Sequence, residues 1–263
     1  MTVRHAPESP RTPPQAVGPP ARPTMILAAH GSVDPRSSAV AQALAGRIRR
    51  LRPGLDVRAA FLEKSEPYVG DVLADVARCN GSAVVVPMLL ADAYHARVDL
   101  PAVIERMIER SGAVVRQSEV LGEDPALITL LGRRLAETGV SPDQQDVGVI
   151  VVAVGSSNEG ANKSTATLVP ALAAGTRWAG VEVAFATGPH PTVAEAAIRL
   201  RDRGARRLVV APWFLAHGRI TDRIAESAAA LDIPMSEPLG SHNLVAATLL
   251  DRFDETQSAR IAA

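Results

Sequence analysis

Residues 25–32 read Met-Ile-Leu-Ala-Ala-His-Gly-Ser, and residues 149–156 read Val-Ile-Val-Val-Ala-Val-Gly-Ser. Each is a short apolar run that stops at a Gly-Ser turn, as a buried parallel strand does where it runs into the loop before a helix. Pairing Gly31-Ser32 with Gly155-Ser156 sets an offset of 124 residues. The same offset puts Val57 on Val181, Ala60-Phe61 on Ala184-Phe185, Pro67 on Pro191 and Val69 on Val193. One residue more pairs Val84-Val85 with Val209-Val210 and Pro87 with Pro212, and later Glu119-x-Leu121-Gly122 matches Glu237-x-Leu239-Gly240. Matches in order, at nearly constant spacing, indicate two copies of one unit.

Outward from these runs, short apolar segments alternate with longer amphipathic ones. Expected strands are Met25–Ala29, Leu55–Leu62, Ala83–Leu90 and Val114–Leu121, then Val147–Val154, Val181–Ala186, Arg207–Leu215 and a weaker Ile233–Pro238. Expected helices are Ser37–Leu51, Pro67–Asn80, Arg97–Ser111, Pro125–Thr138, Ala161–Ala173, Thr192–Arg203, Ile220–Ala230 and His242–Asp254. Such alternation implies right-handed βαβ crossovers, hence an α/β fold with a mostly parallel four-stranded sheet in each half. The expected division is a Pro-rich disordered tail over 1–23, an N-terminal unit over 24–140, a linker over 141–146 marked by Pro142 and Asp143, and a C-terminal unit over 147–263.

Composition narrows the function classes. Of the 263 residues, 47% are hydrophobic and only 3% aromatic, so Ala, Val, Leu and Ile must build the core. Lys plus Arg equals Asp plus Glu at 28 each, which leaves no electrostatic footprint for nucleic acid or an anionic membrane. No apolar run is long enough to span a bilayer and no secretory signal opens the chain, so a cytoplasmic protein is expected. Cys79 is the sole cysteine, which excludes an intramolecular disulfide and a CxxC site, and it reads as a small packed side chain.

Ligands of doubly wound sheets bind at the carboxyl ends of the strands. His30 ends the first strand, Glu63 the second, and His95 follows the third by a short loop. Two imidazoles and a carboxylate suit a divalent first-row metal such as Fe(II), Co(II), Ni(II) or Zn(II). The repeat places Val154 and Thr187 opposite His30 and Glu63, and its His217 falls at a shifted position, so the metal set belongs to the first half. Each residue also has a structural alternative: a hydrogen-bonded strand-end His30, a Glu63 paired with Lys64 or an arginine at the rim, a solvent-exposed His95.

The stretch Ala29-His30-Gly31-Ser32, the run Phe61-Leu62-Glu63-x-x-Glu66-Pro67, and Pro87-x-Leu89-Leu90 followed by His95-x-x-x-Asp99-Leu100-Pro101 resemble the class II tetrapyrrole chelatases, including the sirohydrochlorin chelatases of sirohaem and cobalamin biosynthesis. The resemblance covers most of residues 25–255. It implies two flavodoxin-like units facing a cleft that holds the tetrapyrrole, with His30, Glu63 and His95 as metal-handling residues. It implies insertion of Fe(II) or Co(II) into sirohydrochlorin, the metal being a substrate and no organic cofactor being needed. In this reading His30 and His95 present the metal and accept pyrrole protons, an imidazole being able to take a proton at neutral pH, and Glu63 is third ligand or relay. Because the substrate carries many carboxylates, Ser32, Arg36, Arg97, Arg219 and Arg223 are the expected substrate contacts. A monomer or homodimer would serve. The alternative from another class is a non-catalytic carrier of metal or tetrapyrrole.

Other motifs fail. Gly155-Ser-Ser-Asn-Glu-Gly160 lacks the lysine of a P-loop, no GxGxxG follows the first strand, and no GxSxG occurs. His190 and His242 stand at helix starts and read as surface or capping residues.

Overall fold

A computed structural model of the protein describes residues 22–79, 81–91 and 98–259. The first half runs β1 (Thr24–Ala29), α1 (Pro35–Leu51), β2 (Val57–Phe61), α2 (Val69–Arg78), β3 (Ser82–Pro87), α3 (Leu100–Ser111), β4 (Val114–Gln117) and α4 (Pro125–Glu137). The second runs β5 (Val147–Ala153), α5 (Glu159–Ala166), α6 (Leu168–Ala173), β6 (Gly180–Phe185), α7 (Val193–Asp202), β7 (Arg207–Pro212), α8 (Arg219–Ala229) and α9 (Asn243–Ser258). Two all-parallel sheets result, ordered β2-β1-β3-β4 and β6-β5-β7. The alternation of strand and helix thus folds as expected.

Three departures from the sequence reading have local causes. The second sheet has three strands where four were expected: residues 233–238 make only an isolated bridge, Val210 with Met235. Pro234 and Pro238 have no N–H to give a ladder, and Asp232 turns the entry at φ 56°. The single helix expected over Ala161–Ala173 is two, α5 and α6, meeting at Thr167 with Pro170 inside the second. Cys79, expected to be packed, is exposed, since it caps the end of α2 beyond the last inward-facing position, Val76. Asn80 and residues 1–21 lie outside the described residues.

Period-two alternation divides each sheet between two cores. Met25 and Leu27 of β1, with Val149 and Val151 of β5, face a core shared by both halves, whereas Ile26 and Ala28, like Ile150 and Val152, face outward onto α2 and α3 or α7 and α8. The shared core is built by helix exchange. Helix α4 closes the first half but packs against β7 and α6, and α9 closes the second half but packs against β3 and α1. Arg134 of α4 donates Nη2 to the carbonyl of Leu239 at 3.2 Å, and Arg252 of α9 donates Nη2 to the carbonyl of Leu121 at 3.2 Å. These two clasps occupy equivalent positions of the repeat and face one another as the two sides of a pseudo-twofold do.

Candidate active site in the cleft between the halves

The carboxyl ends of β1 and β5 open onto one cleft of about 660 Å³, within the range of small-molecule sites. In each sheet the central strand has neighbours whose connections leave in opposite directions, the switch point where open α/β sheets take ligands. Pairing ends at Pro87 and Pro212, which close β3 and β7. The apolar residues beyond them, Met88-Leu89-Leu90 and Trp213-Phe214-Leu215, become facing walls of the cleft. By sequence both triplets are expected within strands, Ala83–Leu90 and Arg207–Leu215, and the structure ends those strands earlier.

His30 is fixed against Glu63 by backbone. The amide of Glu63 donates to the carbonyl of His30 at 3.0 Å, extending the β1–β2 register past Phe61. Gly31, at φ 93°, lets that approach occur, because a Cβ there would stand 1.7 Å from the Glu63 carbonyl oxygen. The side chains meet as a result, His30 Nε2 lying 3.2 Å from Glu63 Oε1. Metal–nitrogen and metal–oxygen bonds of about 2.0–2.2 Å put adjacent ligand atoms about 3.0–3.4 Å apart. The two atoms are therefore spaced as adjacent ligands of one divalent ion are. Glu63 also carries Lys64, whose Nζ is 2.5 Å from the same Oε1, so the ion pair expected as its structural alternative forms beside the contact to His30. His95 and Arg97 lie outside the described residues. Among the described residues no group of three or more His, Cys, Asp or Glu is assembled.

The expected substrate contacts divide. Ser32 lines the cleft, its Oγ accepting from the amide of Asp34 at 3.0 Å and its own amide donating to Ser65 Oγ at 3.1 Å. Arg219 lines it too, as the first residue of α8. Arg223, one turn farther along the helix, is exposed and outside the lining. Arg36 spans the rim: its guanidinium grips Asp34 with a bond of 2.6 Å and reaches Asp222 of the other half at 2.6 Å. That guanidinium holds the Asp34 carboxyl down to about 2.

The repeat seen in the sequence has a counterpart among known proteins. A family model described as CbiX matches residues 24–138 and matches a second time over residues 148–256. The chain belongs to the CbiX family. Among its relatives, the sirohydrochlorin cobaltochelatase of Priestia megaterium is 27% identical over 207 residues, covering 77% of this chain and 67% of that protein. The sirohydrochlorin ferrochelatase of the same organism is 26% identical over 184 residues, covering 68% of this chain and 69% of that one. The structure of SirB from Bacillus subtilis with Fe3+ superposes with a TM-score of 0.77 at 23% identity, over 89% of this chain and 95% of that one, which shows a shared fold.

In this CbiX chain the second half contributes more to the cleft than its sequence suggests. Val154, Gly155 and Ser156 line it on the second half's side, and Thr187, at the position of Glu63, donates its Oγ1 hydrogen to the carbonyl of Val154, just past the end of β5, at 2.8 Å. His217 also lines the cleft, with Nε2 2.7 Å from Glu237 Oε2. Twenty residues separate that histidine from its carboxylate, and they are brought together by the bridge of Val210 to Met235 and by the amides of Leu239 and Gly240 donating to the carbonyls of Phe214 and Leu215, so no short motif announces the pair.

Proposed function

We propose that this CbiX protein is a sirohydrochlorin chelatase that inserts Fe(II) or Co(II) into the macrocycle. The carrying observation is the His30–Glu63 pair, spaced to take a divalent ion, on the wall of an apolar cleft between the halves. The relatives are named as a cobaltochelatase and a ferrochelatase, and the two ions accept the same ligands at nearly the same distances, which supports a reading in which metal supply rather than the site decides between them. His30 and Glu63 present the metal, with His95 as third ligand. Met88, Leu89, Phe214 and Leu215 cover the faces of the ring, and Ser32, Arg219 and the backbone before α1 and α5 meet its carboxylates. Arg36 joins them by exchanging Asp222 for a substrate carboxylate. Holding metal and ring in line removes the entropic part of the barrier. One chain forms the whole cleft, so a monomer suffices, and no helix among the described residues is long and apolar enough to cross a membrane.

The test is turnover. Purified protein mixed with sirohydrochlorin and Fe(II) or Co(II) is followed by the absorbance of the product. Many turnovers per chain are expected, and a burst equal to the protein concentration would identify a carrier instead. His30→Ala is expected to lower the rate by at least about 100-fold, and wild-type rates with both metals in that variant would refute the assignment.

A further inference from the structure

Insertion releases two pyrrole protons, and the metal-presenting pair is poorly placed to take them: the lone pairs with which His30 and Glu63 would hold the metal are not available to a proton. We propose that His217, oriented by Glu237, is the proton acceptor of the reaction, working from the second half's wall of the cleft. This rests on the chelatase reading above and adds a residue to it.

Three observations carry the assignment. First, His217 lines the same cleft as His30, in the loop after β7, while His30 follows β1 of the other half. The ring between those walls meets the metal from one half and an imidazole from the other. Second, the two imidazole–carboxylate pairs differ in a way that separates their roles. The 3.2 Å of His30–Glu63 falls within the spacing of adjacent metal ligands, about 3.0–3.4 Å. The 2.7 Å of His217–Glu237 falls below it and is a charge-assisted hydrogen bond. Third, that bond fixes the tautomer. Nε2 carries the hydrogen donated to the Glu237 carboxylate, which leaves the lone pair on Nδ1. A base oriented by a third group is the arrangement that general-base sites use.

The charged neighbours at this rim balance one another. Asp34 is near enough for its carboxyl to respond to His217, but Arg36 binds it. Arg36 is shared with Asp222, and Arg219 heads the helix that follows. Glu237 is therefore the carboxylate that stands directly on the imidazole.

In the step itself the pyrrole N–H proton moves to Nδ1 of His217, and the electron pair of that N–H bond stays on the pyrrole nitrogen and becomes its bond to the metal. The imidazolium so formed is held by Glu237 and gives its proton to water at the cleft rim, where the His217 side chain is 35% exposed. The second proton leaves by the same route, which balances the two charges of the incoming ion.

His217→Ala is compared with wild type in three assays: Co(II) titration, sirohydrochlorin titration by tryptophan fluorescence, and steady-state insertion, with circular dichroism melting as the control for folding. The expected result is Co(II) and sirohydrochlorin affinities within about twofold, kcat lower by about 100-fold, and partial recovery on adding imidazole. Glu237→Ala is expected to lose about tenfold in kcat at unchanged KM, with Glu237→Asp regaining part of it. A kcat within threefold of wild type would overturn the proposal. So would a loss that tracks weaker Co(II) binding, which would make His217 a ligand, or a loss that imidazole does not relieve. Absence of turnover by the wild-type protein would instead refute the chelatase reading itself.

Discussion

At the scale of single residues the cleft sets two cations in competition. Lys64 holds the Glu63 oxygen that faces His30, and its backbone, at φ 60°, turns the ammonium back onto its neighbour. If His30 and Glu63 present a metal as proposed, the incoming ion would have to displace this ammonium. An exposed pair of this kind is worth ~0–1 kcal/mol, so Lys64→Ala is expected to tighten Co(II) binding by up to about fivefold in a direct titration; an unchanged or weaker affinity would show that the ammonium does not compete. His30 and Glu63 were legible in sequence because strand ends converge in a doubly wound sheet wherever the strands lie. The facing triplets Met88-Leu89-Leu90 and Trp213-Phe214-Leu215 were hidden, since an apolar residue beyond a strand-ending proline looks like more strand. Glu237 was hidden for another reason: what pairs it with His217 is a contact between two segments, and no local pattern encodes one.

Elements end where their caps tell them to, and one cap titrates. His242 opens α9 by accepting the amide hydrogen of Leu244 at Nδ1, 3.1 Å away, which only a neutral imidazole can do. Burial, then the charges of Arg134, Arg133 and Arg47, push its pKa below the usual 6.5. The unfolded chain therefore takes up a proton on this residue at a higher pH than the folded chain does. Its contribution to stability is complete above about pH 6.5 and is lost as pH falls through the folded value. His242→Asn keeps an acceptor and removes the titration, so the melting temperature of the variant is expected to gain on wild type between pH 7.5 and 5.5; parallel curves would refute this. The capping role of His242 was readable from its place before an amphipathic run. The break between α5 and α6 was less so, because Pro170 falls early enough in the second helix to be tolerated at its first turn. Cys79 misled because a helix end carries its last residues past the inward-facing stripe.

For the whole molecule the decisive feature is the exchange of α4 and α9. The repeat was evident in the sequence, but which sheet each closing helix would cover was not, since both helices are amphipathic and either sheet offers an apolar face. Leu127, Leu130 and Leu131 of α4 are buried in a core that includes Val149 and Val151, and Val245, Leu249 and Phe253 of α9 in one that includes Leu44 and Ile48. A chain cut between residues 138 and 146 by an engineered protease site is accordingly expected to elute as one species in gel filtration and to separate only in denaturant. Elution of two folded fragments would show that the halves are independent.

The same shared core governs how a substrate gets in. Two lobes joined by a hinge would part like a jaw, but here parting the walls would drag Leu44, Leu130, Leu249 and Phe253 into water at once. The shared core therefore resists widening of the opening, at whose rim Arg36 is tied to Asp222. On the chelatase reading proposed above, a flat macrocycle would have to enter such an opening edge-on, before any metal chemistry could act on it.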